Sequence, residues 1–223
     1  MSYYPVLFAV PLLVMLPFYL HARNRNAFLK STILKLLLSG LCTLCALLGF
    51  ILWGIHHDAS RVLIVIALLC AIFGDYYLQF LQLDTRKLAV GIVWFTLTHV
   101  FLIVFLCLKQ GISWPEFILA AVMVAGVQLI MIRQKWELGR ARALLTLYIL
   151  IIAFMTSKAV LALFVSPAVT LSAALMATGA VLLALSDILL GKKSFVSDRK
   201  SPPNLHLIIY FCGLFLVALS SWY

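Results

Sequence analysis

Acidic residues are scarce in this sequence: Asp and Glu together number seven among 223 residues, against seventeen Lys and Arg. Only 11% of the residues are charged, whereas 65% are hydrophobic, and the mean hydropathy is +1.14. This composition excludes an ordinary soluble domain. Long polar stretches are also missing, since the longest, residues 191–204, is too short to bury a core of its own. The sequence therefore predicts a single transmembrane helical domain over residues 1–223, surrounded by a lipid bilayer.

Cysteine is absent from the polar segments. All five cysteines lie within apolar runs: Cys42, Cys45, Cys70, Cys107 and Cys212. This placement excludes the disulfide framework of a small secreted protein, and the Cys42-x-x-Cys45 spacing falls in mid-helix, where a packing role is expected. A basic segment is also missing before the first apolar run, which predicts a retained membrane anchor and not a cleaved signal peptide.

Long apolar runs account for most of the chain. They predict helices at about 4–20, 31–53, 60–81, 88–108, 114–132, 142–165, 168–190 and 205–222, each bounded by charge, Pro or Gly. Most of these runs are near the ~20 residues that a helix needs to cross a bilayer. The sequence therefore predicts an all-α integral membrane protein with eight transmembrane helices.

Positive charge is concentrated in alternate gaps between the runs. The first, third, fifth and seventh gaps are basic, whereas the second, fourth and sixth are close to neutral. The positive-inside rule then places the basic gaps in the cytoplasm and both termini on the non-cytoplasmic side. The formal charge of +10 is thus explained by topology, and no nucleic-acid partner is expected. The short length and the absence of sorting tails favour a bacterial inner (plasma) membrane.

Two aspartates occur in similar sequence contexts, four predicted helices apart. Gly74-Asp75 is followed by Leu78 in the third helix, and Ser186-Asp187 is followed by Leu190 in the seventh. In the predicted topology both helices run from the outside to the inside. The match favours a parallel duplication of four helices plus four, an arrangement that builds a central site in other membrane proteins.

Ionisable side chains fall inside or at the start of several apolar runs: Lys35, Asp75, His99, Lys158, Asp187 and His206. Such groups are costly at membrane depth, so each is a candidate for function. Lys35 and Asp187 lie close enough to the interface to serve only as snorkelling or capping groups. His99 serves equally well as an interhelical hydrogen bonder. Lys158 lies toward the outer half, where it is expected to reach outward or to pair locally.

The inner half of the bilayer collects candidate residues from four helices: Lys35, Asp75, Asp187, His206 and Tyr210. They are expected to line one pocket, with His99 as its floor. Two carboxyl groups in a low-dielectric pocket tend to titrate apart, which makes one an acid and the other a base, as in glycosidases. Lys35 or a histidine is suited to hold a lipid phosphate. The sequence has no clustered metal-ligand spacing, so neither a metal nor a cofactor is expected.

A set of residues spread over the chain forms a recognisable pattern: Lys35, Gly74-Asp75 with Leu78, Phe95 with His99, Tyr148, Gly179-Ala180, Leu185-Ser186-Asp187 with Leu190, Phe195 and Tyr210. In these residues the sequence resembles the YhhN-like membrane proteins, a family that includes the lysoplasmalogenases. The resemblance spans essentially the whole chain. The paired Asp motif is its most specific part.

The resemblance implies an eight-helix enzyme that hydrolyses the vinyl ether bond of a lysoplasmalogen, giving a fatty aldehyde and glycerophosphoethanolamine or glycerophosphocholine. Asp75 and Asp187 are the expected catalytic pair, with acid and base unassigned. Six residues are expected to bind the lysophospholipid substrate: Lys35, His99, Tyr148, Ser186, His206 and Tyr210. A small proton-coupled transporter and a non-catalytic scaffold remain the alternatives, because buried Asp and Lys residues also occur in translocation paths and helix locks.

Overall fold

The computed structural model describes residues 4–80, 85–136, 138, 141–165, 170–196 and 204–223. Eight main helices follow one another: α1 (Ala9–Asn24), α2 (Phe28–Gly49), α3 (Val62–Gln79), α4 (Thr85–Gln110), α5 (Trp114–Arg133), α6 (Arg142–Val165), α7 (Leu171–Phe195) and α8 (Leu205–Ser220). No strand occurs in these described ranges. The predicted all-α class is therefore confirmed.

Seven of the helical stretches are long and apolar enough to cross a membrane, and α8 is a shorter apolar helix of 16 residues. The chain is thus a multi-pass membrane protein, as predicted. One difference from the predicted bounds follows α2. There a π-helical turn (Phe50–Gly54) and one further turn (Ile55–His57) carry the helix past residue 53. Short 3-10 segments, Tyr4–Phe8 and Ala59–Arg61, lead into α1 and α3.

The last helix, α8, is buried along most of its length and packs against α7, α2 and α3. Its closest approach is to α7. A Cβ added to Gly179 would lie 2.9 Å from the carbonyl oxygen of Gly213, and one added to Gly213 would lie 3.0 Å from that of Gly179. Facing glycines allow two membrane helices to touch through their backbones. This contact brings the Tyr210 end of α8 against the Asp187 end of α7.

The two halves of the bundle, α1–α4 and α5–α8, repeat most of the same helix contacts. Consecutive helices pack on one another within each half, and between the halves α2 contacts α8 while α6 contacts α4. If one half is superposed on the other, α2 corresponds to α6 and α4 corresponds to α8. The α2–α8 contact is therefore equivalent to the α6–α4 contact. The contacts agree with the duplication suggested by the aspartate motifs.

The bundle has two ends. We call the end where α1, α3, α5 and α7 finish the site end, because the candidate residues described below lie there. The opposite end carries the connections from α2 to α3 and from α4 to α5. The cytoplasmic location of the site end stays a prediction from the charge pattern.

Candidate functional site

Asp75, on α3, is held by donors from two other helices. Its side chain is 1% exposed, and its Oδ1 lies 2.9 Å from the Nζ of Lys35 on α2. Lys35 also donates to the Asp75 carbonyl oxygen at 3.4 Å. Oδ2 accepts hydrogen bonds from the hydroxyl of Ser39, one turn along α2, and from that of Tyr210 on α8 at 2.9 Å. One cation and two hydroxyl donors therefore compensate the burial of this carboxyl group.

Asp187, on α7, is held less tightly and is more open. Its Oδ2 accepts a hydrogen bond of 2.6 Å from the hydroxyl of Tyr148 on α6. The Nε2 of His99, on α4, lies 3.8 Å from the same oxygen and 3.2 Å from the Tyr148 hydroxyl. The Asp187 side chain is 19% exposed. Of the two carboxyl groups, it is therefore the one that a ligand reaches more easily.

The two aspartates have equivalent surroundings in the two halves. Each contacts the preceding helix, through Lys35 on α2 or Tyr148 on α6, at sequence separations of 40 and 39 residues. Each also contacts the last helix of the other half, through Tyr210 on α8 or His99 on α4. One arrangement is thus used twice with different side chains. The first copy places a lysine and a tyrosine on its aspartate, and the second a tyrosine and a histidine.

A small cavity of about 50 Å³, which we call the polar cavity, joins both carboxyl groups. Its polar wall residues are Arg23, Lys35, Asp75, Ser186, Asp187, His206 and Tyr210. All five residues expected to share one pocket line this cavity, together with Ser186. Ser186 donates its hydroxyl to the carbonyl oxygen of His206 at 2.9 Å, which ties α7 to the start of α8.

A second cavity of about 100 Å³, the apolar cavity, lies beside the first among α3, α4, α5, α6 and α7. Its wall is almost wholly hydrocarbon, with Ile92, Val127 and Ile152 among its residues. Asp187 and Phe95 belong to the walls of both cavities. The Asp187 carboxyl group therefore stands where an apolar space meets a polar one.

Two of the expected substrate-binding residues, His99 and Tyr148, contact Asp187 from the α4 and α6 sides. Tyr148 reaches the apolar cavity, whereas His99 is not among the wall residues of either cavity. Lys35 was expected to snorkel or to hold a phosphate, but its ammonium group is directed at Asp75 and its side chain is buried. Their contributions to substrate binding stay predictions.

Lys158 takes no part in this site. Its Nζ lies 3.0 Å from both carboxyl oxygens of Glu116 on α5 and 2.6 Å from the Gly111 carbonyl oxygen. Both charged side chains are almost fully buried. Of the two roles expected for Lys158, pairing is observed, whereas the outward reach was wrong, because Glu116, which the sequence placed in a gap, turns into the bundle.

Sequence reasoning missed two residues of the site. Ser39 lies four residues after Lys35, on the same face of α2, and this spacing is a signal that was available. The sequence placed Arg23 in the basic gap after the first predicted helix, yet Arg23 lies in α1 and lines the polar cavity. No sequence pattern separates it from Arg25, which is exposed.

The opposite end of the bundle has a larger cavity, of about 330 Å³, whose charged wall residues compensate one another. Asp58 contacts the Nζ of Lys109 and lies 3.2 Å from the Nε of Arg61. Burial raises the pKa of Asp58, but hydrogen bonds from Lys109, Ser60 and Arg61 outweigh it and hold the pKa below its usual value. This cluster ties the loop before α3 to the end of α4. Nowhere in the described ranges do three or more His, Cys, Asp or Glu side chains gather as metal ligands.

The profile of the YhhN family matches residues 30–221. The match includes both aspartates and their partners on α2, α4, α6 and α8, but it leaves out α1. Searches of curated proteins and of solved structures found no match. Because the matched segment covers most of the chain, the chain belongs to the YhhN family.

Proposed function

We propose that this protein is a lysoplasmalogenase, which hydrolyses the vinyl ether bond of a lysophospholipid to give a fatty aldehyde and a glycerophospho head group. The observation that carries the proposal is the position of Asp187. Its carboxyl group belongs to an apolar cavity and to a polar cavity that also contains Asp75. A vinyl ether joins an apolar chain to a polar glycerophosphate, so the reacting bond fits at this junction.

The orientation of the substrate follows from the different polarity of the two cavities. The carbons of the alkenyl chain next to the ether oxygen enter the apolar cavity, and the glycerol and phosphate occupy the polar cavity. This orientation brings the alkene against Asp187, which is the more exposed of the two carboxyl groups. Family membership supports the same reaction class.

The roles of the two aspartates differ because their partners differ. Lys35 offsets a negative charge on Asp75, and the Ser39 and Tyr210 hydroxyls donate to it, so this group suits the base. Asp187 has the hydroxyl of Tyr148 as its close partner and faces hydrocarbon, which suits the neutral acid. We therefore assign the proton donor to Asp187 and the water-activating base to Asp75.

The reaction then returns both groups to their starting states. Asp187 protonates the alkene carbon that does not carry oxygen, which leaves an oxocarbenium ion on the neighbouring carbon. Water adds to that carbon and gives its proton to Asp75, forming a hemiacetal. As the hemiacetal collapses, Asp187 takes back the hydroxyl proton and Asp75 protonates the departing glycerol oxygen. The negative charge of Asp75 also stabilises the oxocarbenium ion.

The alternative of a carrier has less support. Leu102 lies about one turn beyond His99 on α4 and Met155 about two turns beyond Tyr148 on α6, both toward the opposite end, and both are fully buried. Leu68, about two turns from Asp75 on α3 toward the opposite end, is also fully buried. A packed apolar layer thus separates the polar cavity from the opposite end. The site in this conformation is thus one-sided, which is sufficient for an enzyme, whereas a carrier also needs a second conformation that opens this layer.

The decisive experiment follows aldehyde release from lysoplasmalogen by the purified protein in detergent. We expect release by the wild type and a decrease of kcat by about 10²–10⁴-fold in Asp75→Asn and in Asp187→Asn, as is typical for the loss of an acid or base. Asp58→Asn is the matched control, because it makes the same chemical change at the opposite end of the bundle. Its kcat is expected to stay near that of the wild type.

Other outcomes lead to other conclusions. If well-folded wild-type protein releases no aldehyde, the hydrolase is excluded, and uptake of labelled lysophospholipid into proteoliposomes would then favour the carrier. If both Asn variants keep full kcat but lose thermal stability, the carboxyl groups serve as a scaffold.

A further inference from the structure

The polar cavity contains a buried nitrogen atom that none of the described residues engages. His206 lines this cavity and is 4% exposed, and its Nε2 has no hydrogen-bond partner among the residues that the structure describes. A buried polar atom without a partner is costly, so such an atom in a cavity wall points to a ligand. The hydrogen bond from Ser186 to the His206 carbonyl oxygen fixes the residue at this place.

Arg23 brings a positive charge to the same cavity from the end of α1. Its Nη1 donates to the Tyr19 hydroxyl at 3.1 Å, and Tyr19 is fully buried against Phe211. This contact uses only one of the guanidinium donors and positions the planar group that binds phosphate oxygens in a bidentate manner. Arg23 is thus a cation held in place beside the unpartnered nitrogen of His206.

The second cation of the cavity, Lys35, is already engaged. Its ammonium group contacts the carboxyl group of Asp75 at 2.9 Å and the Asp75 carbonyl oxygen at 3.4 Å. A phosphate that took Lys35 for itself would leave a buried carboxylate without its partner, which is strongly unfavourable. An anionic ligand in this cavity is therefore better compensated by Arg23.

We propose that Arg23 and His206 form the subsite that binds the phosphate of a lysophospholipid, with Lys35 reserved for Asp75. The ligand class is a phosphodiester or phosphomonoester joined to an apolar chain. The identity of the ligand rests on the proposed function, but the subsite itself is read from the cavity. Arg23 lies outside the segment that matches the family, so α1 adds to the site a group that the match does not include.

The test measures binding without hydrolysis. The probes are 1-O-octyl-glycerophosphocholine, a saturated ether without the reactive alkene, and 1-O-octylglycerol, which lacks the phosphate; both are titrated calorimetrically into the purified full chain in detergent. We expect the phosphate-containing probe to bind the wild type more tightly than the alcohol. Arg23→Gln and His206→Phe should each raise its Kd by about 10- to 100-fold, the loss expected for a charged hydrogen bond, and leave the Kd of the alcohol unchanged.

The matched control is Arg25→Gln, which removes the same charge from an exposed position two residues away. It should bind both probes as the wild type does. The proposal is overturned if Arg23→Gln binds the phosphate-containing probe normally, if Arg25→Gln loses as much affinity, or if both probes weaken equally in the folded variants. If Arg23→Gln does not fold, Arg23→Lys serves in its place, with a smaller loss expected because the charge remains without the planar fork.

The results also separate this proposal from the proposed function. A protein that binds the phosphate-containing probe through Arg23 but releases no aldehyde from lysoplasmalogen overturns the hydrolase and supports the subsite. A protein that releases aldehyde but binds both probes alike overturns the subsite and supports the hydrolase.

Discussion

Two lysines are buried inside this bundle, and each pairs with an acidic side chain from another helix. Lys35 and Asp75 border the polar cavity and share their surroundings with Ser39 and Tyr210. Lys158 and Glu116 border neither cavity of the site end. Lys158 also donates to the carbonyl oxygen of Gly111, at the turn before α5. Burial alone therefore does not distinguish a candidate active-site residue from a structural one. The position of the pair relative to a cavity does.

We predict that Lys158→Met destabilises the protein by about 3–5 kcal/mol, because it leaves the Glu116 charge buried without a partner. The kcat of the folded fraction should stay unchanged. Denaturant titration in detergent measures the loss, and Lys109→Met, at an ion pair whose lysine is 40% exposed, should lose less than about 1 kcal/mol. The double variant Lys158→Met with Glu116→Gln should recover most of the stability. A double variant no more stable than Lys158→Met would contradict the ion-pair explanation.

Tyr148→Phe tests the support of the proposed acid. The substitution removes the 2.6 Å hydrogen bond to Asp187 and the contact to His99 while keeping the ring. We expect kcat for aldehyde release to fall by about 10- to 100-fold with little change in KM, because Asp187 becomes negatively charged as it gives up its proton and the hydrogen bond to it then strengthens. Tyr76→Phe is the control, since the Tyr76 ring lies half exposed and packs on Tyr77 and Phe80. Full kcat in Tyr148→Phe would remove Tyr148 from the mechanism.

For single residues, the sequence shows which charged side chains are unusual but not which side chains they pair with. Asp75 and Asp187 stand out because charge in an apolar run is rare. Glu116 does not, because it lies at the start of a run beside Pro115, where a gap residue is expected. The Ser113 hydroxyl donates to the Glu116 carboxyl group at 3.0 Å, and the Lys158 ammonium group reaches the same carboxyl group once α5 and α6 pack. That pairing depends on helix packing, which the sequence does not specify.

Trp136, which follows α5, reaches the site. Trp136 lines the apolar cavity, and its ring stacks on Phe195 of α7 with centroids 6.4 Å apart. A Cβ added to Gly191 would lie 2.6 Å from this ring. Only glycine at position 191 therefore allows the indole to lie flat against α7. Trp136 thus forms part of the wall of the apolar cavity at the site end.

Gly191→Ala should displace the Trp136 ring and change the shape of this cavity. We expect kcat/KM for lysoplasmalogens to fall by about tenfold, since overpacking costs about 1–3 kcal/mol. The loss should be larger for long alkenyl chains than for short ones, because a longer chain fills more of the apolar cavity. The comparison is made with substrates of two chain lengths. Gly40→Ala is the control, because a Cβ at Gly40 meets no atom within 4 Å. Equal losses for both chain lengths would argue against a role of Trp136 in binding the chain.

The helices themselves were well predicted, because a bilayer demands a strong hydrophobic signal over each crossing. The end of α2 was not. His56 and His57 end the apolar run, but the π-helical turn at Phe50–Gly54 continues the backbone hydrogen bonding through them. Hydropathy marks where a helix leaves the apolar layer and not where its hydrogen bonding ends. The central position of α8 also depends on packing, through Gly179 and Gly213, and not on its hydropathy.

For the whole molecule, the equivalence of the two halves explains why the site has two carboxyl groups. Each half supplies one aspartate on its third helix and a partner for it on its second helix. The last helix of each half supplies a second partner for the aspartate of the other half. In the proposed mechanism, different side chains around equivalent aspartates allow one to serve as acid and the other as base. The duplication was visible in the sequence only as two short motifs. The contact of each last helix with the aspartate of the other half depends on helix packing, which the motifs do not specify.

The orientation of this two-half bundle decides which leaflet supplies the substrate, and the charge pattern predicts that the site end faces the cytoplasm. The test uses single cysteines in a background with all five native cysteines replaced. Gln134→Cys is exposed at the site end, and Ile112→Cys is exposed at the opposite end. An impermeant maleimide applied to intact bacteria should label Ile112→Cys at once and Gln134→Cys only after lysis. The reverse pattern would place the polar cavity and Arg23 at the outer face, so the substrate would have to come from the outer leaflet.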